Sequence, residues 1–373
     1  MIYFDNAATT GHKPIGVINA VDYTLKNLCA NPGRSGHDLS QKAALKVYES
    51  RKIISEYFGA DGAENVAFTQ NCTASINFVL KGLLDSGDNV IISDLEHNAV
   101  MRPLNIMKNI SYSTANVSFF NDTETVKNFE ALIKENTKMI FCTAASNVTG
   151  KILPLEKIGQ ICKRRGLFFG VDAAQAAGVV PIDMKKMNID FLCIAPHKGL
   201  YAPMGIGVLI ARKPLKRTVI EGGTGTISVD FNQPEIMPEM LESGTLNLPA
   251  VLGTAAGINF IKSKCRIYEY EMGLVRYFYK GLLKNSKAEL YTNPTDCGYV
   301  PVLPFNISGI PSEETAEFLN KGGFALRAGL HCAPTAHRKV GTLKSGAVRF
   351  SPSVFNNQTE VNMLLNRLKK FLK

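Results

Sequence analysis

No two cysteines of this sequence stand in CxxC spacing; the eight fall at 29, 72, 142, 162, 193, 265, 297 and 332. That excludes zinc ribbons and thioredoxin-type redox pairs, and no metal site is expected. No apolar run approaches the roughly 18 residues of a membrane helix, so no membrane partner is expected. Residues 1–10 lack a basic stretch followed by an apolar one, which argues against a secretory leader. A cytoplasmic protein with reduced thiols is the expectation. Internal repeats and low-complexity tracts are missing too. So is any interleaved basic and aromatic stretch, which argues against a nucleic-acid partner. The net charge of +10 arises from Lys+Arg 42 against Asp+Glu 32, dispersed along the chain. Short clusters such as Lys163-Arg164-Arg165 and Lys369-Lys370 fall near expected helix C-termini, where cations complement the helix dipole. Such a surface favours small anionic ligands.

What is present is a globular chain of 373 residues, 45% hydrophobic and 20% charged. At roughly 100–200 residues per domain it is long enough for about two. Short apolar runs at 66–68, 89–93, 138–143, 167–172, 191–195 and 207–211 read as strands. Helical periodicity separates them. Ile76, Val79, Leu80, Leu83 and Leu84 share one buried face, and 154–165 starts on a proline and stops at Gly166. Strands alternating with helices predict a mostly parallel central sheet flanked by helices, an α/β fold. The pattern changes near residue 250. A large domain over 13–249 and a smaller α+β domain over 250–373 are expected, with residues 1–12 packing on the small domain or near the site. A closing helix over 359–373 carries Val361, Leu364, Leu365, Leu368 and Leu372 on one face, with Asn357 and Glu360 as its capping box.

Polar residues cluster just beyond several of these runs, where ligands bind in open parallel sheets. Thr69-Gln70-Asn71-Cys72-Thr73 leads into the helix carrying Ile76, a seat for phosphate or an ordinary N-cap. Asp172 ends another run amid small residues and needs a cation or donors to stay charged; a helix cap fits it equally well. Lys198 follows the run at 191–195, either as a loop lysine or as an amine whose burial lowers its pKa for Schiff-base chemistry. A phosphate seat, an acid and a lysine at three strand ends together match the needs of pyridoxal phosphate.

Their ordered succession, from Asp5-Asn6-Ala7-Ala8-Thr9-Thr10 to Val348-Arg349-Phe350-Ser351-Pro352, resembles the class V aminotransferase family of fold-type I pyridoxal-phosphate enzymes, in its cysteine desulfurase and selenocysteine lyase branch. The resemblance implies that Lys198 holds the cofactor, that Asp172 pairs with its ring nitrogen and that Gln175 bonds its phenolic oxygen. His97, in Glu96-His97-Asn98, matches the ring-stacking catalytic histidine. Cys72, through its backbone, Thr73 and His197 would bind phosphate. Thr224, in Gly222-Gly223-Thr224-Gly225-Thr226, matches a residue reaching the phosphate of a neighbouring subunit, which implies a homodimer. Ala8, Asn147, Arg327 and Arg349 match substrate-binding positions, with Arg349 suited to grip a carboxylate.

Cys332, in Arg327-Ala328-Gly329-Leu330-His331-Cys332-Ala333-Pro334, matches the nucleophile that becomes a persulfide. Arg327, His331 and His337 are expected to act as cations favouring its thiolate. Cys142, Cys162 and Cys193 sit in regular apolar patterns and read as inert buried thiols. The implied reaction removes sulfur from L-cysteine, leaves L-alanine and parks the sulfur on Cys332 for an acceptor protein. L-selenocysteine as substrate, another β-elimination, or a non-catalytic sulfur-relay scaffold are the alternatives. Ala195, Pro196 and the Tyr201-Ala202-Pro203 turn depart from the family's usual hydroxyl residue and glycines.

Overall fold

The computed structural model describes residues 1–373 except Arg34, Cys297, Leu372 and Lys373. Leu372 and the expected helix end at Lys373 thus lie outside the described residues. The chain opens with β1 (Ile2–Tyr3), α1 (Ile15–Asn27) and α2 (Asp38–Tyr57). Then strands and helices alternate: β2 (Val66–Thr69), α3 (Cys72–Leu83), β3 (Asn89–Ser93), α4 (Asn98–Ile106), β4 (Ser111–Ala115), α5 (Asp122–Ala131) and β5 (Thr137–Thr143). They continue through α6 (Leu155–Arg165), β6 (Phe168–Asp172), β7 (Phe191–Ile194) and β8 (Gly207–Ala211). The last third holds α7 (Leu248–Ser263), α8 (Ile267–Leu282), β9 (Ala288–Leu290), β10 (Leu303–Ile307) and α9 (Ser312–Lys321). It ends with β11 (Phe324–Ala325), α10 (Pro334–Lys339), β12 (Val348–Phe350) and α11 (Gln358–Phe371). Among the described residues no helix is long and apolar enough to cross a membrane.

Seven strands form the central sheet in the order β2-β8-β7-β6-β5-β3-β4. The pairs from β7 to β4 are parallel, and β8 runs antiparallel to both of its neighbours. This is the mostly parallel α/β sheet that the alternation predicts. Side chains alternate across it with a period of two. Ile140, Cys142, Phe169, Val171, Leu192 and Ile194 enter one core, while Met139, Phe141, Phe191 and Cys193 enter the other, with α3 and α4. Burial on both faces explains why the central strands read as unbroken apolar runs. The edge strand β4, Ser-Tyr-Ser-Thr-Ala, is mostly exposed and carries no such signal, so the sequence does not announce it.

The helix signals are built as the sequence suggests. Gly166 closes α6 with φ 66°, in the left-handed region a glycine adopts freely. Asn357 and Glu360 exchange bonds of 3.0 Å each across the start of α11, a capping box. The three-stranded antiparallel sheet β12-β10-β9 packs with α8 and α11 around Phe278, Phe305 and Phe350. Phe4 joins that core, and β1 pairs in parallel with β11. Leu248, Val251 and Ile258 of α7 belong to the core of the central sheet, whereas Leu274 and Phe278 of α8 belong to this one. The apolar cores part between α7 and α8.

Candidate active site

β2, β3, β5, β6 and β7 run in one direction, so their carboxyl ends open on the same edge. A cavity of about 120 Å3 lies there, and its walls bring together Cys72, Thr73, His97, Asn147, Asp172, Gln175, His197 and Lys198. Asn71 caps α3 by accepting from Ala74 N at 2.9 Å, which presents the first turn of the helix to the cavity. Asp172 ends β6 nearly buried, accepting from Ala174 N at 2.9 Å and from the Cys72 thiol at 3.7 Å. Lys198 follows β7 in a turn that α7 presses from behind. A Cβ added to Gly257 would stand 1.8 Å from Leu200 O, so only glycine allows that approach.

Burial pulls the Lys198 amine below its ordinary pKa, with the Asp172 carboxylate opposing. Burial keeps His97 neutral in the same way, and its Nδ1 accepts from Ala99 N at 3.0 Å. The His97 proton therefore sits on Nε2. His197 is drawn down to about 4 by burial and by the Lys198 and Lys13 charges, and its buried Nδ1 has no hydrogen-bond partner. Its carbonyl is heavily used: Thr9 Oγ1, Thr10 Oγ1 and Thr10 N each donate at 3.1 Å, and Lys13 Nζ at 3.2 Å. Those donors close the site with the N-terminal stretch. Gln175 Nε2 donates to Ala7 O at 2.9 Å on the same side.

The residues read as substrate contacts meet at one point. Arg349, 1% exposed, donates through Nη1 to Asn147 O at 3.1 Å and through Nη2 to Asp5 Oδ1 at 2.7 Å. Its buried Nε has no partner. Arg327 pairs with Arg349 through the backbone, Arg349 N donating to Arg327 O at 2.8 Å. Ala8 lies in the adjoining N-terminal turn, its N bonded to Asp5 O at 3.0 Å.

Cys332 is exposed, on a loop anchored on all sides. His331 and Cys332 are consecutive left-handed residues, at φ 49° and 56°. Asn147 Nδ2 donates to His331 O at 2.7 Å, and Asn98 N, one residue past His97, donates to Cys332 O at 2.7 Å. Arg327 Nη2 stands 3.9 Å from the thiol sulfur. The two histidines do not serve as cations here, contrary to the sequence reading. His331 Nε2 faces Arg327 O at 3.3 Å, His331 Nδ1 faces His337 Nε2 at 3.3 Å, and His337 Nδ1 faces Thr342 Oγ1 at 2.7 Å. A carbonyl at one end fixes both tautomers, each Nε2 donating and each Nδ1 accepting. Burial pushes His331 to about 2 and His337 to about 4. They are a neutral brace, and Arg327 is the cation beside the thiol. Cys142, Cys162 and Cys193 are buried, and burial raises their thiol pKa values.

Thr224 is not brought to this cavity; it lines another, of about 350 Å3, beside Arg51 and Glu242. Two carboxylates escaped the sequence reading. Asp5 holds Arg349. Glu96, fully buried, accepts from Ser93 N at 3.2 Å, from the Ser93 hydroxyl and from Thr143 N at 3.0 Å, tying the turn before His97 to β5. The only sequence signal for Glu96 was its place beside His97.

The family model for aminotransferase class-V matches residues 2–364. The chain belongs to the class-V aminotransferase family. Within it, a protein of Borreliella burgdorferi described as a probable cysteine desulfurase is 32% identical, over 100% of this chain and 92% of its own length. One of Pyrococcus abyssi, described in the same words, is 31% identical over 100% of this chain and 94% of its own. The apo structure of a cysteine desulfurase from Thermococcus onnurineus superposes with a TM-score of 0.91 at 32% identity, covering 100% of this class-V chain and 94% of that one.

Proposed function

We propose that this chain is a pyridoxal-phosphate-dependent cysteine desulfurase acting on L-cysteine. The observation that carries the reading is the docking of the Cys332 loop. It is held on one side by Asn147, which lines the Lys198 cavity, and on the other by Asn98, next to His97. The likeness to proteins described as cysteine desulfurases supports the same reading.

The residues present fit the cofactor. Asp172 offers a carboxylate for a ring nitrogen, Gln175 an amide for a phenolic oxygen, and His97 a neutral ring at the cavity wall. The start of α3 with Cys72 and Thr73, and the unpartnered His197 Nδ1, suit a phosphate. Ala195 and Pro196 add no hydroxyl, so these donors and a Thr224 from a second subunit would share that task. When bound, the group supplies an electron sink next to the substrate's amino carbon. Lys198, kept partly neutral by burial, is the nucleophile that anchors it and carries protons at Nζ. Arg349 and Asn147 orient the substrate carboxylate, with Ala8 and Arg327 beside them. The Cys332 thiolate, next to Arg327, attacks the substrate sulfur. An S–S bond forms, the carbon–sulfur bond breaks, and its electron pair takes up a proton as alanine leaves. The persulfide on an exposed residue suits collection by an acceptor protein. Free thiols and a reducing cytoplasm are compatible. The position of Thr224 away from its own cavity suits a homodimer.

Mass spectrometry after incubation with L-cysteine tests the reading. One added sulfur on Cys332 with stoichiometric alanine is expected. Alanine release that persists in Cys332→Ala overturns it.

A further inference from the structure

A second, smaller cavity of about 40 Å3 adjoins the first, sharing Lys198 and Gln175 as lining residues. Its other walls include Tyr201, Ser351, Ser353 and Glu271. A cavity with several polar walls and room for more than one water is a hydrated one. Glu271 is a helix residue that no role above explains. It projects from α8, in the smaller core, and is 5% exposed. One carboxyl oxygen, Oε1, accepts from Val354 N at 2.8 Å and from the Tyr201 hydroxyl at 3.4 Å. No cation pairs with it in either contact. A buried carboxyl that lacks a counter-charge is held as the neutral acid.

We propose that Glu271 is a positioning residue for proton handling, a carboxylic acid coupled to Lys198 through water in the shared cavity. It rests on the reading of Lys198 as the working amine, and it assigns the reservoir from which that amine is reset between turnovers. Glu271 and Lys198 both line this cavity, and Cys332 lines neither cavity. Burial lifts the Glu271 titration to about 8, with Val354 N and the Tyr201 hydroxyl pulling the other way. The charged groups that act on Lys198 are Asp172 and Cys72, which favour the charged amine, and Arg349 and Arg327, which oppose it; the rings of His97 and His197, both drawn below their ordinary range, share its cavity. Burial and the neighbouring carboxyl raise the Tyr201 hydroxyl well above its ordinary range, so it stays a donor throughout.

The test uses the full chain without cofactor or substrate, so it does not depend on turnover. Competitive acetylation of Lys198 is followed by mass spectrometry across pH. The unmodified protein should give a reactivity curve with an added inflection near the Glu271 titration, because an ionised carboxylate holds the proton on the amine. In Glu271→Gln that inflection disappears and the Lys198 midpoint falls by about one pH unit. Glu271→Asp, which keeps the carboxyl, retains the inflection. A Glu271→Gln curve that superimposes on the unmodified one overturns the proposal, as does an Asp variant that behaves like Gln. Should Glu271→Gln not fold, Tyr201→Phe reads the same coupling. Loss of the hydroxyl raises the acid's titration, so the inflection moves to higher pH; an unmoved inflection overturns the proposal. Loss of alanine formation with an intact inflection would instead count against the enzyme reading alone.

Discussion

Lys198 and Cys332 are built in opposite ways. The lysine follows a strand buried on both faces, and its chemistry is tuned by what surrounds it: burial, Asp172 and the helix α7 pressed against Leu200. The cysteine is exposed, and its chemistry depends on where its loop is pinned. The difference is a division of labour between tuning and presentation. On the proposed reading, an amine that must be partly neutral needs burial, whereas a sulfur that must be handed on needs access.

The comparison can be broken in order of expected effect. Lys198→Ala should lower alanine formation at least about 10³-fold, because no other amine is available in the cavity. Cys332→Ala should lower persulfide formation to background yet leave thermal stability within about 0.5 kcal/mol, as for an exposed side chain. A large loss of stability would mean that the cysteine is structural after all. Asp5→Ala should cost about 3–5 kcal/mol in denaturant unfolding, since it strands the buried Arg349 guanidinium. A loss under about 1 kcal/mol would show that the pair is not what fixes the arginine.

The histidine brace gives a pH dependence. His331 and His337 titrate lower in the folded protein than their ordinary 6.5, at about 2 and about 4. Protons therefore favour the unfolded chain. The brace's own contribution to stability should be level above pH 6.5 and fall as pH drops from there toward 4 and below, read as the difference between the unmodified chain and His337→Gln across pH. A profile identical in that variant sinks the assignment. The smallest effect is expected for Thr342→Val, which removes the last donor of the brace: about 1–3 kcal/mol for an unsatisfied buried nitrogen.

Much of the fold was legible because a doubly covered parallel sheet writes its strands as apolar runs; Asn89–Ser93 and Gly207–Ala211 were read to the residue. Strand order was not, since nothing local says that β3 lies between β5 and β4. β4 was missed because an exposed edge strand needs no apolar pattern. The cavity residues Asp172 and Lys198 were found because polar residues after apolar runs are unusual. Asp5 and Glu96 were not, because single carboxylates acquire meaning only from partners far along the chain, Arg349 and Thr143. The charge state of His331 and His337 was misjudged for the same reason: their burial is a tertiary fact.

The convergence of Thr9, Thr10 and Lys13 on the carbonyl of His197 has a practical corollary for handling the protein. Met1 is 84% exposed, so an affinity tag can be fused ahead of it at little cost. Trimming the first dozen residues is a different matter. It would strip a wall from the chamber that holds the lysine and take Phe4 and Asp5 from their buried partners, so a shortened clone should come off the column pale, idle and less resistant to heat.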